Sequence, residues 1–299
     1  MKCLIVNADD FGLTQGVNRA IVACHERGIV SSTTLMATGK CFDEAVTLAS
    51  SLPGMSVGCH VVLVDGDPLL PANEVRSLLA PGTQRFYHTI TEVLQAVARG
   101  RFDPKEVEAE ARAQMAKLRD SGIAISHFDA HKHTHMFPSI LRPLLRAADA
   151  NNVRAVRNPF EAPRSVTVRE AMGNRTLFVR KAETTVLRAA LRRRWLSEVR
   201  LAGLATTDGS LGVAATGTLN APRLRKMLEK MPPGVWELVC HPGYNDRDLA
   251  SVRTKLRESR EVEMAALQSI TRDELRDHYE IELLPFRWNS ARPAASANI

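Results

Sequence analysis

Residues 3–12 read Cys3-Leu4-Ile5-Val6-Asn7-Ala8-Asp9-Asp10-Phe11-Gly12, an apolar run that ends in two adjacent carboxylates. A short apolar run closed by polar residues and a glycine predicts a buried strand. Two acids at its end are ordinarily a solvated loop or a helix cap, because Asp favours such positions. The pair carries chemistry only if other strands end in chemistry too.

Working outward, five more runs predict buried strands: SVGCHVVLV (56–64), AISHFDAH (124–131), VRAVRNP (153–159), VWELVCHPG (235–243) and YEIELLPF (279–286). Between them, apolar residues at helical spacing predict helices over 15–27, 42–51, 90–98, 104–121, 139–151, 219–230 and 254–269. Strands alternating with helices predict crossover units around a parallel sheet, an α/β chain. At 299 residues one large domain is expected, spanning 1–290, with a disordered tail ARPAASANI at 291–299. Two stretches break the alternation. Residues 65–87, rich in Pro and Gly, read as a long loop. Residues 174–202 are strongly basic, and Leu187, Leu191, Trp195 and Val199 recur every fourth residue, which predicts an amphipathic helix with a basic face.

Composition excludes several classes. Hydrophobic residues make up 44% and charged residues 24%, ordinary for a packed domain. The five cysteines are scattered with no CxxC pair, against a disulfide framework or a thiolate zinc site. No signal-peptide pattern opens the sequence, and no run approaches the length of a membrane span, so a cytoplasmic protein is expected. The net charge of +7 attracts anionic partners, but no nucleic-acid-binding module accompanies it, and no nucleic-acid partner is expected.

Ligands of parallel α/β proteins gather at the carboxyl ends of the strands. The first predicted strand ends in Asp9 and Asp10, the second contains His60, the third runs into Asp129 and HKHTH (131–135), and a late one ends in His241. Three of the nine histidines within five residues is the strongest of these signals. Acids and imidazoles on one rim suit one divalent metal ion held by a carboxylate and two imidazoles, with positions left open. A second carboxylate then takes a proton from water while a histidine protonates a leaving group. His25, His88, His127 and His278 are read as structural. The glycine-rich stretch 203–217 lacks the phosphate-binding fingerprints and is read as a substrate-facing or structural loop. The segment Ser31-Ser32-Thr33-Thr34 reads as strand or turn.

The stretches IVNADDFGLTQGVNRAI (5–21), GIVSSTTLMATG (28–39), GCHVVLVDGDPLLP (58–71), FDAHKHTHMFP (128–138) and ELVCHPGYND (237–246) together resemble the YdjC-like carbohydrate deacetylases. HVVLVDGDPLLP, RNPFE (157–161) and WELVCHPGYNDRDL (236–249) resemble most the branch associated with hopanoid biosynthesis, HpnK. The resemblance implies a single-domain, deformed (β/α) barrel of parallel strands and metal-dependent removal of an N-acetyl group from an amino sugar. It implies Asp10, His60 and His131 as metal ligands, with zinc or magnesium as the ion, and Asp9 as catalytic base. His241 falls where mechanism places the general acid. His133 and His135 are candidates for substrate contact or for orienting a ligand. The hopanoid branch implies a lipid-linked substrate, N-acetylglucosaminyl bacteriohopanetetrol, and with it peripheral membrane contact through the basic helix. The alternatives are a soluble chitooligosaccharide-like substrate or a metal-dependent phosphoesterase. Cys59, beside His60, is where the family more often has a larger apolar residue, and it raises the prospect of an unintended thiolate ligand.

Overall fold

The computed structural model describes residues 1–163, 165, 172–173 and 175–286. The predicted tail 291–299 and position 174, where the basic segment was expected to begin, lie outside them. Seven strands form one sheet: β1 (Lys2–Phe11), β2 (Ser32–Leu35), β3 (Ser56–Val61), β4 (Ile125–Ala130), β5 (Gly209–Leu211), β6 (Gly234–Cys240) and β7 (Ile281–Leu283). Their order is β4-β3-β2-β1-β6-β5, every pair is parallel, and β7 pairs with β1 beside β2. The sheet curls until its two edges meet across residues 155–161. This segment bridges Phe128 on β4 through Val156, and Ser210 on β5 through Glu161, while Ala155 bridges Ala205. A parallel-strand α/β barrel, as expected, is the result.

The segment 153–159 was expected to be a strand and makes isolated bridges instead. Its Pro159 has no N–H to donate, and the segment leaves β4 for β5 partway along, so no ladder forms. Conversely, β5 lies inside the glycine-rich stretch expected to be a substrate-facing or structural loop, while the Ser-Thr run, read as strand or turn, is the strand β2; both are fully buried.

Helices flank the sheet: α1 (Gln15–Arg27), α2 (Phe42–Ser50), α3 (Ile90–Ala98), α4 (Pro104–Asp120), α5 (Pro138–Ala150), α6 (Arg175–Leu201), α7 (Ala221–Glu229), α8 (Arg247–Ala250), α9 (Glu258–Gln268) and α10 (Arg272–Asp277). Strand alternation gives the barrel two kinds of surface. Leu4, Val6 and Ala8 of β1, Cys59 and Val61 of β3, Phe128 and Ala130 of β4, and Leu238 and Cys240 of β6 join the helices in the main apolar core. Cys59 thereby faces away from His60, and burial pushes its thiol up. This removes the thiolate ligand that the sequence raised as a prospect.

The opposite face is layered. At the amino-terminal end Ile5, Ala155, Ala205 and Phe286 form a small separate apolar cluster. The His127 ring stacks on Phe286 at 3.7 Å between centroids, 3° from parallel. Gly58 is required beneath it, since a Cβ there would lie 2.5 Å from the imidazole. Above this floor the lining turns polar.

In α6, Leu177, Trp195 and Val199 are buried and Leu187, Leu191 and Leu196 pack beside them, so the expected stripe faces the barrel. The outer face carries arginines as expected, and apolar residues with them. Phe178, Val179 and Val186 are exposed there, flanked by exposed Arg175, Arg193 and Arg194. The helix is tied to three strand-end loops: Trp195 Nε1 donates to the His135 carbonyl (2.9 Å), Arg188 to that of Glu161 (3.0 Å), and Arg180 to that of Thr216. Trp195 also meets Phe160 edge-on. Trp195→Ala is expected to destabilise the fold by about 3–5 kcal/mol in urea unfolding, the usual cost of removing a buried aromatic.

Candidate metal and acid–base centre

Adjacent residues of a regular strand point to opposite faces, so Asp9 and Asp10 should not share a site. They do so because β1 breaks its register with β2 between Ala8 and Phe11, and Asp10 takes a left-handed backbone (φ 69°). The bulge turns Asp10 back toward the mouth that Asp9 already faces. Gly12, also left-handed (φ 88°), completes the turn, and its N–H donates to the Asn18 side chain at 2.7 Å.

Asp10 Oδ1 lies 3.6 Å from His60 Nε2 and 3.6 Å from His131 Nδ1, and those two nitrogens are 3.2 Å apart. A near-equilateral triangle of these sides has its centre about 2.0 Å from each corner (side divided by √3), the bond length of zinc or magnesium to nitrogen and oxygen. The donors are of the right kind and size for one such ion. His60 is oriented for the purpose: its Nδ1 is bonded to Asp129 Oδ1 at 2.7 Å, which leaves Nε2 facing the other donors. His60 and Asp129 are register partners on β3 and β4. His131 opens a 3-10 turn, His131–Met136, whose Lys132 and His133 are both left-handed. Lys132 braces that turn from loop 65–87, donating to Asp65 (2.6 Å) and to the His88 carbonyl (3.2 Å).

Asp9 has different company. Arg157 donates to both its oxygens, at 2.8 and 2.6 Å, and Asn7 adds a third bond at 3.0 Å. The same guanidinium pairs with Asp129 and donates from Nε to Glu237 at 2.6 Å. Burial alone would raise the Asp9 carboxyl, but Arg157, then His60 and His241, hold it well below the usual carboxylate range. His241 Nε2 is 3.8 Å from Asp9 Oδ2, and its Nδ1 is 3.8 Å from Glu263 of α9. Burial opposes charge on His241; Glu263, with Asp9 and Asp10, outweighs it and raises the imidazole above its ordinary value.

Five buried carboxylates (Asp9, Asp10, Asp129, Glu237, Glu263) thus face two buried guanidiniums, Arg157 and Arg260. Such an excess calls for further positive charge. His60 is pushed up to about 9, where Asp129 overcomes burial, and Glu237 is pushed up to about 7, mainly by burial. His131, less favourably placed, is pushed down to about 4 by burial.

The remaining sequence candidates divide. His133 is pushed down to about 3, first by burial and then by Arg157, and Asp9 and His241 also act on it. It therefore borders the same centre. His135 is wholly buried, its backbone carbonyl held by Trp195 of α6. Sequence reasoning named Asp129 as a strand-end acid without giving it a role, and missed Arg157, Glu237, Glu263 and Arg260. A charged residue inside an apolar run was the available signal for Arg157 and Glu237; Arg260 and Glu263 look like the wet face of an ordinary helix.

Glu263→Gln removes the neighbour that raises His241. The His241 pKa, followed by NMR of the imidazole, should lie above the ordinary histidine value in the parent and fall in the variant. An unshifted titration would contradict this electrostatic assignment.

The YdjC-like protein family matches residues 3–277. A carbohydrate deacetylase of Brevibacillus brevis (strain 47 / JCM 6285 / NBRC 100599) is 41% identical over 157 residues, 52% of this chain and 59% of that protein's length. A carbohydrate deacetylase of Thermoanaerobacter pseudethanolicus (strain ATCC 33223 / 39E) is 25% identical over 270 residues, 89% of this chain and 91% of that protein. A crystal structure from Enterococcus faecalis V583, described as a candidate cellobiose-phosphate cleavage protein, superposes with a TM-score of 0.71. It is 26% identical and is matched over 95% of this chain and 97% of that one. The matched family region contains the bulged acid pair, His60, the 131–136 turn and His241 alike, and with it the whole centre; the chain belongs to the YdjC-like protein family.

Proposed function

We propose that the protein is a metal-dependent carbohydrate deacetylase that hydrolyses the N-acetyl group of an amino sugar. The observation that carries the reading is the triangle of Asp10, His60 and His131 donor atoms beside an Asp9–His241 pair 3.8 Å apart. The names of the Brevibacillus and Thermoanaerobacter relatives support it.

In this reading Asp10, His60 and His131 hold one divalent ion, which when bound lowers the pKa of its water and polarises the acetamide carbonyl. Asp9, kept ionised by Arg157, accepts a proton from the attacking water. The water oxygen bonds to the acetyl carbon, the carbon–nitrogen bond breaks, and His241, kept protonated by Glu263, gives its proton to the departing amine. The products are acetate and the free amino sugar. His133 borders the space beside Asp9 and is proposed to contact the sugar; His135, buried under α6, is proposed to support the turn that carries His131. Phosphoester cleavage is the weaker reading, because the second group of donors, Asp9, His60 and Asp129, has both its carboxylates already paired with Arg157 and so offers a poor second site for the paired ions typical of that chemistry.

For the substrate we infer a glycolipid, N-acetylglucosaminyl bacteriohopanetetrol, rather than a soluble chitooligosaccharide. Support comes from the motif resemblance and from the outer face of α6, where exposed Phe178, Val179 and Val186 lie between arginines. That pattern suits an anionic membrane surface, with the apolar residues in the headgroup boundary. Among the described residues no helix is long and apolar enough to cross a membrane.

Purified protein with its ion restored should release acetate, and mass spectrometry of incubated lipid extracts should show loss of one acetyl group from a glycosylated hopanoid. Asp9→Asn should keep its ion and lose about 10²–10⁴-fold in turnover, the usual share of a general base. His60→Ala should lose both ion and activity. Near-normal turnover in the first, or unchanged ion stoichiometry in the second, would remove that residue from its role. In flotation assays the protein should rise with phosphatidylglycerol vesicles at low salt and less so at high salt. Absence of flotation under both conditions would leave α6 only its packing role.

A further inference from the structure

Helix α9 sends two charged side chains into the protein one helical turn apart, Arg260 and Glu263, each only 1% exposed. Glu263 serves His241. Arg260 Nη2 donates to Asp10 Oδ2 at 2.5 Å, while the other oxygen, Oδ1, is the one facing His60 and His131. The Asp10 carboxylate is therefore divided, one oxygen in the triangle of donors and one on a guanidinium. Arg260 is itself held, its Nε donating to the Leu256 carbonyl at 3.2 Å. It also needs room. A Cβ at position 243 would stand 2.8 Å from Arg260 Cδ, so Gly243 of the HPG sequence gives the arginine its passage.

We propose that Arg260 is a positioning residue that commits Asp10 to bind the ion through a single oxygen, and so sets which divalent ions the site accepts. A carboxylate with both oxygens free can turn and clasp an ion with the pair of them. Calcium, with six to eight ligands at longer distances, takes such a clasp readily; zinc and magnesium, with small and strict coordination shells, gain less from it. Holding Oδ2 removes the option. A guanidinium acting only as a nearby positive charge would weaken every divalent ion by the same factor. The ratio of affinities therefore separates positioning from simple repulsion.

The inference rests on the reading of Asp10, His60 and His131 as ion ligands. The test is isothermal titration calorimetry of the full-length, chelator-stripped protein with zinc, magnesium and calcium, each variant being checked for folding by circular dichroism. Arg260→Gln should shift the calcium-to-zinc affinity ratio at least tenfold toward calcium, and Arg260→Lys should restore most of the parent ratio. Gly243→Ala, which retains the arginine but presses on its Cδ, should move the ratio in the same direction and serves if Arg260→Gln does not fold. Affinities that change by one common factor, or not at all, overturn the role of Arg260 alone. A parent protein that binds none of the three ions overturns the ligand reading with it.

Discussion

One buried guanidinium joins the closing of the barrel to the geometry of its mouth. Arg157 stands on the segment that spans the sheet's two edges, and it pairs with Asp9 of β1, Asp129 of β4 and Glu237 of β6. Burying four charged groups together is unfavourable unless each finds a partner of good geometry, and a planar guanidinium with five N–H donors can serve several carboxylates at once. Its grip on Asp129 passes to His60 through the Asp129–His60 bond, so one side of the donor triangle depends on an arginine that touches none of its three atoms. Loss of this residue would take the guanidinium from three buried acids at once and leave Glu237 without its partner.

The second constraint is the bulge at Asp10, which lets two consecutive acids face one cavity. They are kept apart chemically by having separate cations. Asp9 receives Arg157 on both oxygens from inside the barrel, whereas Asp10 receives Arg260 on one oxygen from α9 outside it. The first acid is held as an anion at rest by hydrogen bonds to both its oxygens. The second keeps one oxygen uncommitted among imidazoles. Identical side chains in adjacent positions thus acquire different chemistry from their surroundings alone.

Much of this was legible in the sequence. Helix periodicity located α1 through α5, α7 and α9 to within a few residues, because apolar spacing reports directly on the buried face. Histidines and acids within apolar runs pointed to Asp9, Asp10, His60, His131 and His241, since polar groups in such places need partners. What escaped had one of two causes. The strand β5 is Gly-Ser-Leu within a glycine-rich stretch, and its burial is imposed by its neighbours rather than advertised by its own side chains; the Ser-Thr run of β2 left strand and turn undecided for the same reason. Arg260 and Glu263 sit on a helix where alternating charges are commonplace, and only the close passage at Gly243 distinguishes them from a solvated face. The bulge, too, is a backbone event with no residue signature beyond Gly12.

The floor of the barrel is finished by Phe286, just after β7, stacked on His127 and donating its N–H to the Ser56 hydroxyl across 230 residues. The ion pairs of the mouth span comparable separations, 148 residues for Arg157 with Asp9 and 250 for Arg260 with Asp10. The donor triangle therefore closes only when the ends of β1, β3 and β4 come together. Loops of this length close slowly compared with helices. Competence for chemistry is a collective property of segments far apart in sequence, which a partly folded chain does not possess.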